Sequence, residues 1–224
     1  MHKKWGIIVI LFSGLTNAAF SQTCLEGDCK NGTGTYLFEN NNKYTGSFKE
    51  GVPHGEGSMV YFSDSSEYSG AWVEGKKQGK GIFKFKKNGV IVATYEGFFI
   101  NNQMHTNTGE IAKFTTSAFL YEGQFTNNLR TGKGKITYAK TGNVYEGELI
   151  NGIPEGKGSL EYKGIGFYTG NFNIGKPNGI GTIILYIGDT YEGEWKDGKM
   201  HGAGKYTFKS GKTQEGIWND GVKE

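Results

Sequence analysis

One short pattern, Tyr-x-Gly, recurs along this chain every 23 to 27 residues. Its seven copies begin at Tyr44, Tyr68, Tyr95, Tyr121, Tyr145, Tyr168 and Tyr191, and a partial copy begins at Gln214. A regular period of this length is typical of repeat architectures, in which each repeat is one supersecondary unit stacked on its neighbours. The period therefore limits the fold more strongly than the length of 224 residues does.

Each copy has the pattern of a β-hairpin when it is numbered from its tyrosine as position 1. Position 3 is glycine and position 5 is large and apolar throughout. Positions 1, 3 and 5 lie two residues apart and so share one face of a strand. Position 8 is glycine or asparagine, which tolerate a left-handed backbone and therefore predict a turn. Paired glycines at positions 12 and 14 of six copies, followed by alternating apolar residues, complete a second strand.

The residues at positions 1 and 5 define a predicted aromatic face. We assign to this face Tyr44, Phe48, Tyr68, Trp72, Tyr95, Tyr121, Phe125, Tyr145, Tyr168, Phe172, Tyr191, Trp195 and Trp218. Glycine on the same face leaves room for a ring from a neighbouring strand and lets the sheet bend. The other face is polar, with acidic residues on first strands and lysines on second strands. Such pairs contribute about 0.2–1 kcal/mol each across a hairpin.

An isolated hairpin is marginally stable in water, so the units must share a core with their neighbours. We therefore predict an all-β fold, a single elongated and twisted antiparallel sheet of tandem hairpins with about 15–16 strands. An N-terminal cap with a half repeat spans 22–43, the seven units span 44–213, and a C-terminal half repeat spans 214–224. Unit 3 departs from the pattern because Thr106 and Thr108 replace its paired glycines, which leaves its hairpin in question.

The composition excludes other glycine-rich folds. Glycine supplies 38 residues but proline only three, which excludes collagen. Aromatic residues make up 14% of the chain, whereas disordered linkers are poor in them. Glycine inside a helix costs about 1 kcal/mol relative to alanine, so long helices are not expected.

Residues 1–21 have the pattern of a cleaved signal peptide. Lys3 and Lys4 precede an apolar run from Ile7 to Leu15, which is too short for a permanent membrane span. An uncleaved anchor is the alternative. We expect an exported protein in the periplasm, on the cell surface or secreted. Loss of the two lysines lowers the formal net charge from +3 to +1, which does not favour binding to nucleic acid.

Cys24 and Cys29 are the two cysteines of the sequence. In an exported protein a pair at this spacing can close a small disulfide loop. Two free thiols or half of a metal site are the alternatives. A zinc site would need four ligands, and no third cysteine is present, so we predict no metal.

The repeat resembles the membrane occupation and recognition nexus (MORN) repeat. The segment from Tyr191 through Trp195, Gly198, His201 and Gly202 to Gly204 matches that pattern at each defined position, and the resemblance covers residues 24–224. It implies an elongated array of β-hairpins used in protein or lipid interaction, in some proteins attached to a catalytic domain. We find no segment that could hold such a domain.

The sequence predicts no enzymatic chemistry and no cofactor. The Gly-x-Gly pairs precede strands and lack the third glycine of a dinucleotide-binding loop, and no nucleophile with an adjacent base stands out. Lys80, Lys84 and Lys86 are predicted to share the polar face, as an anion or lipid-headgroup contact or as a solvated surface. Residues 98–120 are a second irregular region, either a packed long loop or a docking spot for a partner.

Three functions are compatible with these features. The first is a non-enzymatic scaffold that offers its aromatic surface and its charged back to an unidentified protein partner. The second is a peripheral membrane or phospholipid-binding protein, which the low mature charge disfavours. The third is a regulatory subunit or a remnant of a MORN-containing enzyme. Five apolar residues on the nominally polar face are further candidates for contact, namely Val60, Phe62, Ile180, Ile184 and Tyr186.

Overall fold

A computed structural model describes residues 23–224, so the predicted signal peptide at 1–21 lies outside the described residues. The described chain is built from strands and turns in a single antiparallel sheet, which confirms the predicted fold class. Its strands are β1 (Thr23–Gly27), β2 (Thr33–Leu37), β3 (Lys43–Lys49), β4 (Val52–Val60), β5 (Glu67–Val73), β6 (Lys76–Lys87), β7 (Val90–Ile100), β8 (Gln103–His105), β9 (Ala112–Thr116), β10 (Phe119–Thr126), β11 (Leu129–Tyr138), β12 (Val144–Ile150), β13 (Ile153–Tyr162), β14 (Gly166–Asn173), β15 (Lys176–Leu185), β16 (Thr190–Lys196), β17 (Lys199–Thr207), β18 (Thr213–Asn219) and β19 (Val222–Lys223).

The sheet has 19 strands among the described residues, more than the predicted 15–16. The N-terminal cap adds β1, which pairs with β2, and the C-terminal half repeat adds the short β19. In unit 3 the second strand is split into β8 and β9. β8 pairs with β7 next to the turn, whereas β9 lies between β7 and β10. Unit 3 therefore keeps its hairpin, with an interrupted second strand.

The turn of each hairpin has two consecutive residues with positive φ. The eight residues at position 8, from Gly51 to Gly221, all have φ between 69° and 91°, as the sequence predicts. The residue before each of them, at position 7, also has positive φ, between 47° and 52°. Positive φ at both central residues is the geometry of a type I′ turn, whose twist matches that of the flanking strands.

A line of glycines crosses the sheet from strand to strand. Glycines at positions 3 and 14 face each other in register, as in the pairs Gly123–Gly134 and Gly134–Gly147. Between β7 and β10 this line is continued by Ala112, which pairs with Gly123. A Cβ atom on Gly147 would lie 2.5 Å from the Cα atom of Gly158, so the strands approach too closely there for a side chain.

Every position-1 tyrosine lies across these glycines and is hydrogen-bonded at its tip. The hydroxyl group donates to the carbonyl oxygen at position 4 of the same unit, at 2.6–3.0 Å in all seven units. The shortest of these bonds joins Tyr145 to Glu148. A buried phenol that lacked a partner would be costly, so the bond allows the ring to be fully covered.

Candidate functional site

The aromatic face is the core of the sheet. The seven position-1 tyrosines are 0% exposed and the position-5 rings are at most 7% exposed. Five of these tyrosines pack edge-to-face on the position-5 ring of their own unit and on that of the next unit, as Tyr68 does on Trp72 and Phe99. Tyr121 and Tyr145 each pack on one such ring. The expectation that this row offers a surface to a partner is therefore corrected, because its members cover one another. Leu149 interrupts the row, since it stands where the other units have a ring.

The predicted disulfide lies at the N-terminal end of this core. Cys24 and Cys29 are bonded, with their Cα atoms 5.9 Å apart. Cys29 packs against the buried cluster and lies beside Gly34, which pairs with Gly27 in the line of glycines. Cys29 therefore contributes to the cover of this end of the core, whereas Cys24 is exposed.

The three lysines singled out on β6 do not form a free cationic strip. Lys86 is ion-paired with Glu67, and this hydrogen bond lowers the pKa of the Glu67 carboxyl. Lys84 is the cross-strand neighbour of Glu67, and the Lys80 ammonium lies 5.4 Å from the centre of the Phe98 ring. Anion binding at these residues stays a prediction, and one carboxylate already offsets part of the charge.

Two cations lie on the aromatic face, and both occupy position 10, where three other units have proline. The Lys77 ammonium lies 4.6 Å from the centre of the Phe83 ring, and burial lowers the Lys77 pKa to about 8. The Arg130 guanidinium lies 4.6 Å from the centre of the Phe119 ring. Neither residue was predicted from the sequence as part of a site. The sequence did contain a signal for them, because position 10 lies between the aromatic positions of the first strand and the apolar positions of the second strand of the same unit.

A broad, open groove lies on the polar face of the sheet. It has a volume of about 1070 Å³ and spans units 4 to 6. The glycine line lies beneath it, and side chains at positions 2 and 15 form one wall while those at positions 4 and 13 form the other. Its lining includes Glu122, Lys133, Lys135, Glu146, Glu148, Lys157, Ser159, Thr169, Asn171, Ile180 and Thr182.

The charged part of the groove is electrically balanced. Lys135 lies between Glu122 and Glu146 on the neighbouring strands, and Lys133 lies opposite Glu148. These registers place acid beside base across the strands, as the sequence predicts. Farther along, towards unit 6, the lining changes to Ser159, Thr169, Asn171, Thr182 and Ile180, which are uncharged.

Exposed apolar side chains surround the uncharged end of the groove. Phe167 and Ile184 are cross-strand neighbours on the polar face, and both are exposed, as are Ile180 and Tyr186. Exposed apolar side chains in one region are typical of an interaction surface. Ile180, Ile184 and Tyr186 were predicted on this face from the sequence. Phe167, which immediately precedes the position-1 tyrosine of unit 6, was not.

Ile174 is the most unusual residue of this region. It is 75% exposed and has φ 47° at position 7 of the unit 6 turn, where the other turns have Glu, Asn or Asp. A β-branched residue in this conformation is strained. Ile150 and Ile153, which flank the turn of unit 5, are also exposed. An exposed aliphatic side chain kept at a strained position favours contact with a partner over a role in folding.

The second irregular region, residues 98–120, is mostly packed. Phe99 is buried, and Phe114 packs on Phe125 and Phe119. Ile111, in the segment between β8 and β9, is instead exposed and lines the groove. The interrupted unit therefore contributes one apolar side chain to the candidate site.

Neither a metal cluster nor a membrane-spanning helix occurs in residues 23–224.

The repeats of this chain match a known repeat family. The profile of the MORN repeat matches residues 44–66, 68–90, 95–105, 121–142, 145–164, 168–190 and 191–213. The match is shortest in unit 3, where the second strand is split. No curated protein matches the sequence. With these seven matches over more than half of its length, the chain belongs to the MORN repeat family.

Proposed function

We propose that this chain is a non-catalytic, exported scaffold that binds a protein partner in the polar groove of units 4 to 6. The observation that carries the proposal is the contrast between the two faces. The aromatic row is covered, whereas the groove is open and continues into exposed apolar side chains at Phe167 and Ile184. MORN repeats in general take part in protein or membrane interactions, which is consistent with this role.

The groove has the mixed character of a protein interface. Its charged walls fix orientation, because a partner must match alternating acidic and basic groups. Its uncharged end, with Ile180 and the neighbouring Phe167, supplies apolar area for affinity. A nucleic acid would require a surplus of positive charge, but the groove lysines face glutamates.

Export is supported by the apolar run that follows Lys3 and Lys4 and by the disulfide, which persists in oxidising compartments. N-terminal sequencing of the protein recovered from outside the cytoplasm tests this part. We expect the recovered chain to begin at Gln22. An intact Met1 on membrane-bound protein would instead indicate the anchor.

Affinity capture with matched variants tests the binding role. We expect Lys133→Glu combined with Lys157→Glu to abolish capture of a partner from the exporting compartment, because both substitutions place like charges in the groove wall. Lys80→Glu combined with Lys84→Glu is the control, since it reverses two charges on the same face outside the groove. Equal capture by the groove variant and the wild type would contradict the proposal. Binding to anionic vesicles that only the control variant loses would favour the lipid-binding alternative.

A further inference from the structure

The side chain at position 10 covers the aromatic row in each unit. Three units have proline there (Pro53, Pro154 and Pro177) and two have methionine (Met104 and Met200); the remaining two have Lys77 and Arg130. Among the seven full units an amine at this position therefore occurs in unit 2, and in the C-terminal half repeat Lys223 occupies it at the end of the sheet. The role of Lys77 is separate from the groove, which lies on the opposite face of other units.

The Lys77 amine lies in a box of four aromatic rings. Its Nζ atom is 4.6 Å from the ring centre of Phe83, and 5.5–5.6 Å from those of Tyr61, Tyr68 and Phe99. These rings come from β5, β6, β7 and the residue that follows β4. Lys77 as a whole is partly exposed, unlike the fully buried Tyr68 beside it. Rings in this arrangement exclude most of the water, and their cation–π attraction replaces only part of the lost hydration of the ammonium group.

The charge of Lys77 is not balanced by an acid. No carboxylate in residues 23–224 lies within ion-pair distance of its Nζ atom. The titratable groups that face it are the phenols of Tyr61 and Tyr68, and burial raises their pKa, so they stay neutral. Desolvation without a compensating anion lowers the Lys77 pKa to about 8, whereas an exposed lysine titrates near 10.4.

We propose that Lys77 is a covalent modification site, at which the side-chain amine captures small aldehydes as an imine. The ammonium group first loses a proton to solvent, and the nitrogen lone pair then attacks the carbonyl carbon. Proton transfer to the carbinolamine oxygen releases water and leaves the C=N bond. Protonation of this imine gives an iminium cation, which remains over the four rings and gains the same cation–π stabilisation.

Arg130 shows why the amine matters. It occupies the same position and also lies over aromatic rings, yet a guanidinium stays protonated and is not a nucleophile under these conditions. The exposed neighbour Lys76 lies in the same strand with its amine in water and serves as the internal reference. Two native units carry methionine at this position, so Lys77→Met is expected to preserve the sheet.

Brief reductive labelling of the folded, oxidised protein with a limiting amount of formaldehyde and cyanoborohydride tests the proposal. The hydride reduces the imine carbon, so peptide mass spectrometry reads each lysine as a methylated amine. At pH 7 we expect Lys77 to be labelled on the order of a hundredfold faster than Lys76, because about a tenth of an amine with a pKa of about 8 is neutral there, against less than a thousandth of an ordinary lysine amine. At pH 9.5, where the fold is still intact, the ratio should fall to about tenfold, because most of the Lys77 amine is already neutral while that of an ordinary lysine is still mostly protonated.

The controls separate reactivity from sequence context. In denaturant the two lysines should react equally, and Lys77→Met should remove the preferred label while leaving the labelling of Lys76 unchanged. Equal or slower labelling of Lys77 in the folded protein at pH 7 would overturn the proposal. A preference that persists in denaturant would overturn it as well, because the ring box would then not be its cause.

Discussion

The Tyr145 hydroxyl donates a 2.6 Å hydrogen bond to the carbonyl oxygen of Glu148, three residues along the same strand. Between them Gly147 leaves the space in which the ring lies. The same bond is formed in all seven units. It explains how a single sheet can cover a row of tyrosines completely, since each ring is satisfied at its polar end and packed along its edge.

Alanine at Gly147 should destabilise the protein through close contact. Its Cβ atom would lie 2.5 Å from both the Tyr145 hydroxyl oxygen and the Gly158 Cα atom, so strands or ring must move, at a cost of about 2 kcal/mol or more. Gly164→Ala is the control without close contacts, because open space surrounds Gly164; its φ of 77° strains alanine by about 1 kcal/mol, a cost that Gly147 does not share. Urea unfolding of both variants measures the difference. Equal free energies of unfolding would show that the glycine line is not sterically required.

Asparagine at Ile174 should stabilise the fold and weaken partner binding. The strained φ of Ile174 suits asparagine, which stands at the same turn position in units 3, 4 and 5, so we expect a gain of about 1 kcal/mol. The reciprocal change, Asn151→Ile, should cost a similar amount. Thermal unfolding of the two variants checks the signs. A less stable Ile174→Asn variant would indicate that the isoleucine contributes to folding after all.

The position-1 tyrosines should make the fold sensitive to alkali. Burial raises the pKa values of Tyr44, Tyr121 and Tyr168 to about 12, whereas an unfolded tyrosine titrates near 10. A pKa raised in the folded state means that the unfolded chain loses its protons first. The stabilisation is complete below about pH 10 and is lost as the pH rises towards 12. Denaturant unfolding at pH 8 to 11 tests this. An unchanged midpoint up to pH 11 would contradict the burial of the phenols.

Removal of the disulfide should destabilise one end of the array. The Cys24–Cys29 bond closes a short loop, for which chain entropy predicts about 2 kcal/mol. Because each repeat contacts only its neighbours, we expect the Cys24→Ser and Cys29→Ser double variant to increase hydrogen exchange in β1 to β3 and not in β16 to β18. Uniformly increased exchange along the sheet would contradict a local role for the cap.

The hairpin units could be predicted because their determinants are local. Asparagine in place of glycine at position 8 indicates positive φ, and all eight residues there have it. The type I′ geometry was harder to predict, because Ile174 occupies position 7 in unit 6 and a β-branched residue rarely adopts the positive φ that this turn requires. Ala112 could not be placed in the glycine line from sequence, since the split of the second strand in unit 3 removes the spacing that would identify it.

The candidate site was harder to predict for a physical reason. Which face of a single sheet is open depends on packing between units, and the mutual covering of Tyr68, Trp72 and Phe99 cannot be read from one unit alone. The same holds for Lys77, whose ring box combines residues from neighbouring strands. The alternation of apolar and polar residues along each strand showed which residues share a face of the sheet. It did not show which of the two faces a partner could reach.

Site-specific photocrosslinking tests the central claim, that a partner binds the polar groove and not the aromatic face. A photoreactive phenylalanine derivative would replace Thr169, which lines the groove, or Phe208, which lies at the margin of the aromatic face in unit 7. We predict a crosslinked partner from position 169 and none from position 208, with circular dichroism confirming that both variants fold. Crosslinks from position 208 alone would contradict the assignment of the binding face.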